Sequence, residues 1–206
     1  MPAEFLQIHP KTPEPRKIQQ VVNSLRNGGI VIYPTDTVYA LGCDIHNSRA
    51  VERIARIKGI KPQKNDFSFI CFDLSHIADY AKVSNAAFKV MKRILPGPFT
   101  FVLEANNQVP KVLANRKTVG IRVPDHPIPR QIVYELGHPI ITTSIKEDED
   151  DIMEYPTDPE IIFERFQHQV DIVIDGGFGG LIPSTVVDAT DDHFDIIREG
   201  AGEYIA

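Results

Sequence analysis

Between Arg16 and Arg26 the apolar residues Ile18, Val21, Val22 and Leu25 recur at three- and four-residue spacing, which predicts a helix stopped by Asn27-Gly28-Gly29. Ile30-Val31-Ile32-Tyr33 follows as a short β-rich run ended by Pro34, a buried strand that delivers the chain to a loop at Thr35-Asp36-Thr37. The helical period returns from Ser48 to Lys58 through Val51, Ile54, Ala55 and Ile57, with Ser48 expected as N-cap. It returns again from Ser84 to Leu95 through Phe88, Val90, Met91 and Ile94. Pro96-Gly97-Pro98 then turns the chain into a strand at Phe99–Glu104. Further strands are expected at Phe67–Phe72, Thr118–Val123, Pro139–Thr143, Val170–Asp175, Ser184–Asp188 and Phe194–Arg198, and helices at Pro127–Leu136 and Pro159–Gln167.

Strands that occur singly and in neighbouring pairs among helices predict an α/β fold: a single three-layer domain with a twisted, open sheet of mixed parallel and antiparallel pairing. No internal repeat is visible, and one domain over residues 1–206 is expected, since a chain of this length can bury roughly 70% of its unfolded surface without disulfides or a structural metal. The 24% of charged residues, of both signs, among abundant Ile and Val excludes global disorder. Cys43 and Cys71 are too few for a disulfide framework and form no Cys-x-x-Cys pair, which suits a reducing cytoplasm. The amino terminus has no basic region followed by a long apolar core, and no apolar run approaches the ~20 residues of a membrane span. The formal charge of −6 argues against broad nucleic-acid binding driven by charge, though Glu147-Asp148-Glu149-Asp150-Asp151, expected as a solvated surface loop, supplies five of those carboxylates and the remainder balances to −1.

No Walker loop, Gly-x-Gly-x-x-Gly turn, Gly-x-Ser-x-Gly elbow or His-Glu-x-x-His helix is present, and the seven histidines lack metal-ligand spacing, so no protein-bound metal is expected. Gly176-Gly177-Phe178-Gly179-Gly180 follows a strand and is read either as an amide-lined phosphate pocket or as a plain turn. The stretch from Pro34 to Asp44 carries more chemistry, because it sets hydroxyls, a carboxylate and a tyrosine directly after a buried strand, where open α/β sheets gather ligands.

Six blocks in order carry a resemblance: Pro-Thr-Asp-Thr-Val-Tyr-Ala-Leu-Gly at 34–42, Pro96-Gly97-Pro98-Phe99-Thr100, Gly120-Ile121-Arg122-Val123-Pro124 with His126-Pro127, Thr142-Thr143-Ser144, Ser184-Thr185-Val186-Val187-Asp188, and Ile197-Arg198-Glu199-Gly200. Over nearly its whole length the chain resembles the YrdC-like family of threonylcarbamoyl-adenylate synthases, in their short YciO-type form. The resemblance implies a nucleotidyltransferase that converts L-threonine, bicarbonate and ATP to threonylcarbamoyl-AMP and pyrophosphate, with Mg²⁺ on the phosphates, as the first half of a tRNA adenosine modification. It implies that Thr37 and Arg122 contact threonine, the Arg122 fork matching its carboxylate, and that Ser144 and Ser184 or Thr185 supply hydroxyls near threonine and the acyl phosphate. Lys58, Lys61, Asn65, Thr118, Thr142 and Arg198 fall at positions implied to border ATP. No covalent nucleophile is implied, so positioning and charge stabilisation would carry the chemistry.

Two elements depart from the family pattern. Lys-x-Arg-Pro becomes Lys58-Gly59-Ile60-Lys61-Pro62, placing a point charge where the family has a planar fork, and Ser-x-Asn becomes Ser144-Ile145-Lys146, with a cation in place of an amide. Both changes keep positive charge while altering geometry, which frames an alternative: a module of the same fold that binds double-stranded RNA, tRNA or a nucleotide, with the synthase reaction lost.

Overall fold

The computed structural model of the protein describes residues 2–59, 67–107, 109, 116–145, 147–149 and 152–204. Five helices are found among them: α1 (Pro15–Arg26), α2 (Ser48–Ile57), α3 (Asn85–Ile94), α4 (Pro127–Leu136) and α5 (Pro159–Phe166). The strands are β1 (Glu4–Gln7), β2 (Val31–Tyr33), β3 (Ala40–Asp44), β4 (Ser68–Ile70), β5 (Ala81–Lys82), β6 (Phe99–Ala105), β7 (Thr118–Arg122), β8 (Ile140–Ser144), β9 (Glu147–Glu149), β10 (Ile152–Glu154), β11 (Ile172–Asp175), β12 (Thr185–Asp188) and β13 (Ile196–Arg198).

All five expected helices are present, and local chemistry sets their ends. Ser84 and Asp158 cap α3 and α5 by accepting amides with their side chains, and Gly137, at φ +87°, ends α4 in the left-handed region. The cap of α2 is Asn47, not Ser48: the Asn47 side chain accepts the Ala50 amide, and Ser48 is already the first helical residue. Apart from β9 and β10, three strands escaped the pattern reading, β1, β3 and β5. Within the acidic stretch expected as a loop, Glu147–Glu149 form β9, whose backbone pairs antiparallel with β10.

One mixed sheet runs in the order β1-β11-β2-β3-β8-β4-β7-β6-β12-β13, with β5 alongside β6. Strand alternation divides its residues between two faces. One face sends Ile32, Leu41, Cys43, Phe69, Phe101, Ile121, Ile141 and Val187 into a core closed by Val51 and Ile54 of α2, Met91 of α3 and Ile162 of α5. On the other face, Val31, Tyr33, Ala40, Ile70, Ile140, Ile172 and Ile174 pack against Ile18, Val22 and Leu25 of α1 and Ile128 and Ile132 of α4. The domain is therefore three-layered, as expected, but its two faces are not covered alike. Helices α1 and α4 pack on the β1-to-β3 side of the second face and at one end of β4 and β8. The rest of that face, across β8, β4, β7, β6 and β12, carries mainly small and polar residues with Val102 and Val186 among them, and belongs to neither core. No helix among the described residues is long and apolar enough to cross a membrane.

Candidate functional site

The uncovered face can be read from strand register. Gly42 of β3 lies opposite Thr142 of β8, Thr142 opposite Ser68 of β4, Ser68 opposite Gly120 of β7, and Gly120 opposite Val102 of β6. Register partners share a face, so this row lays glycines and hydroxyls across the middle of the sheet. The glycines are required by space: a Cβ on Gly120 would meet Ser68 Oγ at 2.4 Å and Thr100 Cγ2 at 3.1 Å. The result is a shallow floor with hydrogen-bonding groups and little bulk.

Arg122 ends β7 on this face, two residues beyond Gly120, and is only 7% exposed. Its Nη2 donates to Asp36 Oδ1 at 3.2 Å and to Thr37 Oγ1 at 3.1 Å, both on the loop after β2. That loop is wired internally. Thr35 Oγ1 donates to the Val38 carbonyl at 2.7 Å and accepts the Thr37 amide, and Thr37 Oγ1 lies 3.1 Å from Thr35 Oγ1. Because the Thr35 proton is committed to Val38, Thr37 donates to Thr35 and accepts from Arg122. Asp36 Oδ2 accepts the Asp125 amide, which ties the loop to the chain after β7. The Arg122 Nε is buried and has no hydrogen-bond partner among the described residues. Burial draws the guanidinium below its ordinary value, opposed by Asp36 and Tyr33 and reinforced by Arg198, yet an arginine remains charged. A buried, charged donor is costly unless an acceptor is supplied to it, which singles Nε out on this face.

Ser184 lies on the same face and shares a 2.8 Å hydrogen bond with Thr100 Oγ1. Arg198 donates through Nη2 to the Ser184 carbonyl at 2.7 Å, so the Arg198 and Arg122 charges sit within each other's field. Thr142 is 2% exposed and bonded to Tyr33. Ser144 follows on the same face, its carbonyl accepting Lys58 Nζ at 3.0 Å. Thr118 starts β7 on this face too, exposed and four residues from Arg122, at the open rim. Thr37, Arg122, Thr142, Ser144, Ser184 and Arg198 thus gather on one surface, with Lys58 and Thr118 at its edge. Thr185 does not join them. It pairs with Phe99 on the core side and its hydroxyl donates to the Gly202 carbonyl at 2.6 Å while accepting the Gly202 amide, a tether for the C-terminal segment. Lys61, Asn65 and Lys146 lie outside the described residues.

The phosphate-pocket reading of the glycine-rich loop does not hold. The Gly176 amide goes to the Tyr39 hydroxyl, that of Gly177 to Asp175, that of Gly179 to the Thr157 carbonyl and that of Gly180 to the Thr37 carbonyl. With four amides committed, the loop is a buttress for the Thr35–Tyr39 segment. Its glycines permit close approach, since a Cβ on Gly180 would meet Thr37 O at 2.3 Å. His126 Nδ1 accepts the Ile128 amide as N-cap of α4, and burial lowers its pKa against the pull of Asp36 and Asp125. Both cysteines are free and buried, and burial pushes the Cys71 thiol up to about 12, so it is no nucleophile at neutral pH. Tyr33, Ser68 and Thr100 were not singled out from sequence. The signal that could have found Ser68 and Thr100 is a small polar residue between apolar ones, in Phe67-Ser68-Phe69 and Phe99-Thr100-Phe101, whereas the buried run Val31-Ile32-Tyr33 gives none for Tyr33.

The Sua5/YciO/YrdC family, described as "Telomere recombination", matches residues 23–200. The chain belongs to that family. "Uncharacterized protein YciO" of Escherichia coli is 43% identical over 203 residues, covering 98% of this chain and 97% of its own length. The crystal structure of Escherichia coli YciO superposes with a TM-score of 0.90 over 98% of this chain and 97% of that one. The crystal structure of P. abyssi Sua5 complexed with L-threonine gives a TM-score of 0.85 at 30% identity, covering 95% of this chain and 57% of that one. A protein named threonylcarbamoyl-AMP synthase from Bacillus subtilis is 33% identical over 188 residues, 89% of this chain and 53% of its own length. Within the Sua5/YciO/YrdC family the fold thus extends from a protein named only YciO to proteins named threonylcarbamoyl-AMP synthase.

Proposed function

We propose that the protein is an L-threonylcarbamoyladenylate synthase. The observation that carries this reading is the buried Arg122, which is fixed by Thr37 and Asp36 through Nη2 and whose Nε has no acceptor among the described residues. A carboxylate oxygen of L-threonine would complete the fork. The threonine complex of Sua5 and the synthase names of several relatives support the choice of amino acid. Bicarbonate loses water by breaking a C–O bond to give carbon dioxide, and the threonine amine adds to its carbon and gives up a proton to solvent to form the carbamate. A carbamate oxygen then attacks the α-phosphate of ATP, forming an O–P bond as the α–β bridging O–P bond breaks and pyrophosphate leaves with its electron pair.

Lys58, Arg198 and the hydroxyls of Thr100, Ser184 and Ser144 suit the polyphosphate side of such a substrate, with Thr118 at the rim. Among the described residues no three His, Cys, Asp or Glu groups converge to hold an ion. Mg²⁺ would therefore arrive on the ATP phosphates, where it neutralises their charge, and the protein would supply cations and hydroxyls around it. The product is the class of mixed anhydride consumed in threonylcarbamoylation of a tRNA adenosine, and the compartment in this reading is the cytoplasm. The test is pyrophosphate release by the purified protein, expected to require ATP, bicarbonate and L-threonine together. Release at background level beside an active Sua5 control would refute the reaction. Salt-sensitive binding of double-stranded RNA by such an inactive protein would assign the face to the binding-module alternative.

A further inference from the structure

Outside the Arg122 floor, one end of the sheet carries a row of rings that the proposed reaction does not use. Asp44, Ile140 and Ile70 lie at one level across β3, β8 and β4. His46, His138 and Phe72 each stand two residues further out, so all three leave the sheet at the same end. His46 and His138 pack edge to face with centroids 4.5 Å apart, and Phe72 packs on Tyr134 of α4 at 5.0 Å.

The inner rings are held and the outer ones face solvent. His138 Nδ1 donates to the Pro139 carbonyl at 3.0 Å while Nε2 faces Asp44 Oδ2 at 3.5 Å, and Phe72 packs against the core beneath α1 and α4. Tyr134, by contrast, is 60% exposed, and His46 is exposed as well. Arg130, one turn before Tyr134, sets its guanidinium carbon 4.9 Å from the Phe72 ring centre and donates through Nε to the Phe72 carbonyl at 3.1 Å. Its two Nη groups have no partner among the described residues. Arg26 of α1 donates to the Glu135 carbonyl at 3.2 Å, which brings a second guanidinium to the residue after Tyr134.

A ring fixed from behind by another ring keeps one face open to a planar partner. Unpaired nucleobases are such partners, since they stack on Tyr, His and Phe rings and on Arg planes while their phosphates satisfy guanidinium donors. A duplex hides its base faces, and an apolar peptide would leave the Arg130 donors unsatisfied, so neither fits the row. We propose that this row is a docking surface for an unpaired RNA strand, with bases stacked on Tyr134 and His46 and a phosphate on the Arg130 Nη groups. The choice of RNA over DNA rests on the function proposed above, whose product is consumed at an RNA adenosine; the stacking does not.

The test is fluorescence anisotropy of a labelled, unstructured oligoribonucleotide of about 12 nucleotides. Y134A and H46A are each expected to raise Kd about 10-fold at every salt concentration, with Y134F within about twofold of the parent. R130Q is expected to weaken binding and to make the plot of log Kd against log salt shallower by about 0.7, the share of one phosphate contact on a single strand. Tyr134 and His46 are exposed, so their variants are expected to keep the parent's melting temperature. A parent that does not bind the strand, parental affinity in Y134A, or a duplex of the same sequence bound as tightly would overturn the proposal. A DNA strand of that sequence bound more tightly would overturn the assignment to RNA. Pyrophosphate release is measured separately and is expected to be unchanged in Y134A. A parent that releases none refutes the synthase reading, and the Y134A binding comparison still decides the row.

Discussion

Replacing Arg122 separates two roles that the structure gives to one side chain, ion-pair partner and ligand fork. The Asp36 and Arg122 side chains are 10% and 8% exposed and their atoms meet at 3.2 Å. Opposite charges with centres about 4 Å apart attract by ~4 kcal/mol at an effective dielectric constant of about 20. Much of that offsets desolvation, but deleting one member of a buried pair costs about 3–5 kcal/mol because the survivor stays desolvated. Asp36 keeps the Asp125 amide, so R122A is expected near the lower end, about 3 kcal/mol of unfolding free energy. D36N is expected to cost a similar amount, since it leaves the guanidinium unpaired. The double variant removes both charges and is expected to fall short of the summed losses by about 2 kcal/mol in urea denaturation followed by circular dichroism. Ligand binding is read on R122K, which keeps the charge and loses the fork. A charged hydrogen bond is worth about 1.5–3 kcal/mol, so the Kd for L-threonine is expected to rise about 10- to 100-fold by calorimetry. Additive stability losses would refute the ion-pair argument. Parental threonine affinity in R122K would reduce Arg122 to a structural residue.

Three further outcomes follow from the same geometry. His126 is neutral in the fold because burial lowers its pKa, so the unfolded chain takes up the proton first. Its contribution is complete above pH ~6.5 and is lost as pH falls from there toward the folded value. H126N, which can still cap α4, is expected to flatten the pH dependence of stability in that window, and an unchanged slope would show that other groups set it. G42A is expected to destabilise by about 1–3 kcal/mol, because its Cβ would stand 2.5 Å from the Ile141 carbonyl, a backbone atom that cannot rotate away; melting and denaturation curves matching the parent would show that β3 and β8 can move apart freely. T185V strips the Gly202 amide and carbonyl of their shared partner and is expected to cost about 1–3 kcal/mol while leaving the threonine Kd unchanged. A weaker threonine Kd in T185V would return that hydroxyl to the site.

How far the sequence displays this molecule depends on the range of each interaction. Helices α1 and α4 are legible because their apolar stripes and stops lie within one turn of each residue, as Gly137 shows at the end of α4. β3 is not, because Ala40-Leu41-Gly42-Cys43-Asp44 has neither β-branched residues nor clean alternation, and all five residues are buried by strands that come from elsewhere in the chain. Arg122 and Thr37 were legible as candidates through their motifs, but the Asp36 contact joins residues 86 positions apart and no local pattern encodes it. Thr185 misled for the opposite reason: it sits one position from Ser184, and alternation along β12 sends neighbours to opposite faces, so a motif quoted as a block contains both a cavity hydroxyl and a tether. Tyr33 and Thr142 are 109 positions apart, and Gly42, which makes their contact sterically possible, offers no side chain to notice. In a sheet site of this kind, chemistry-bearing residues are found by type, whereas the glycines that let them meet are found only once the register is known.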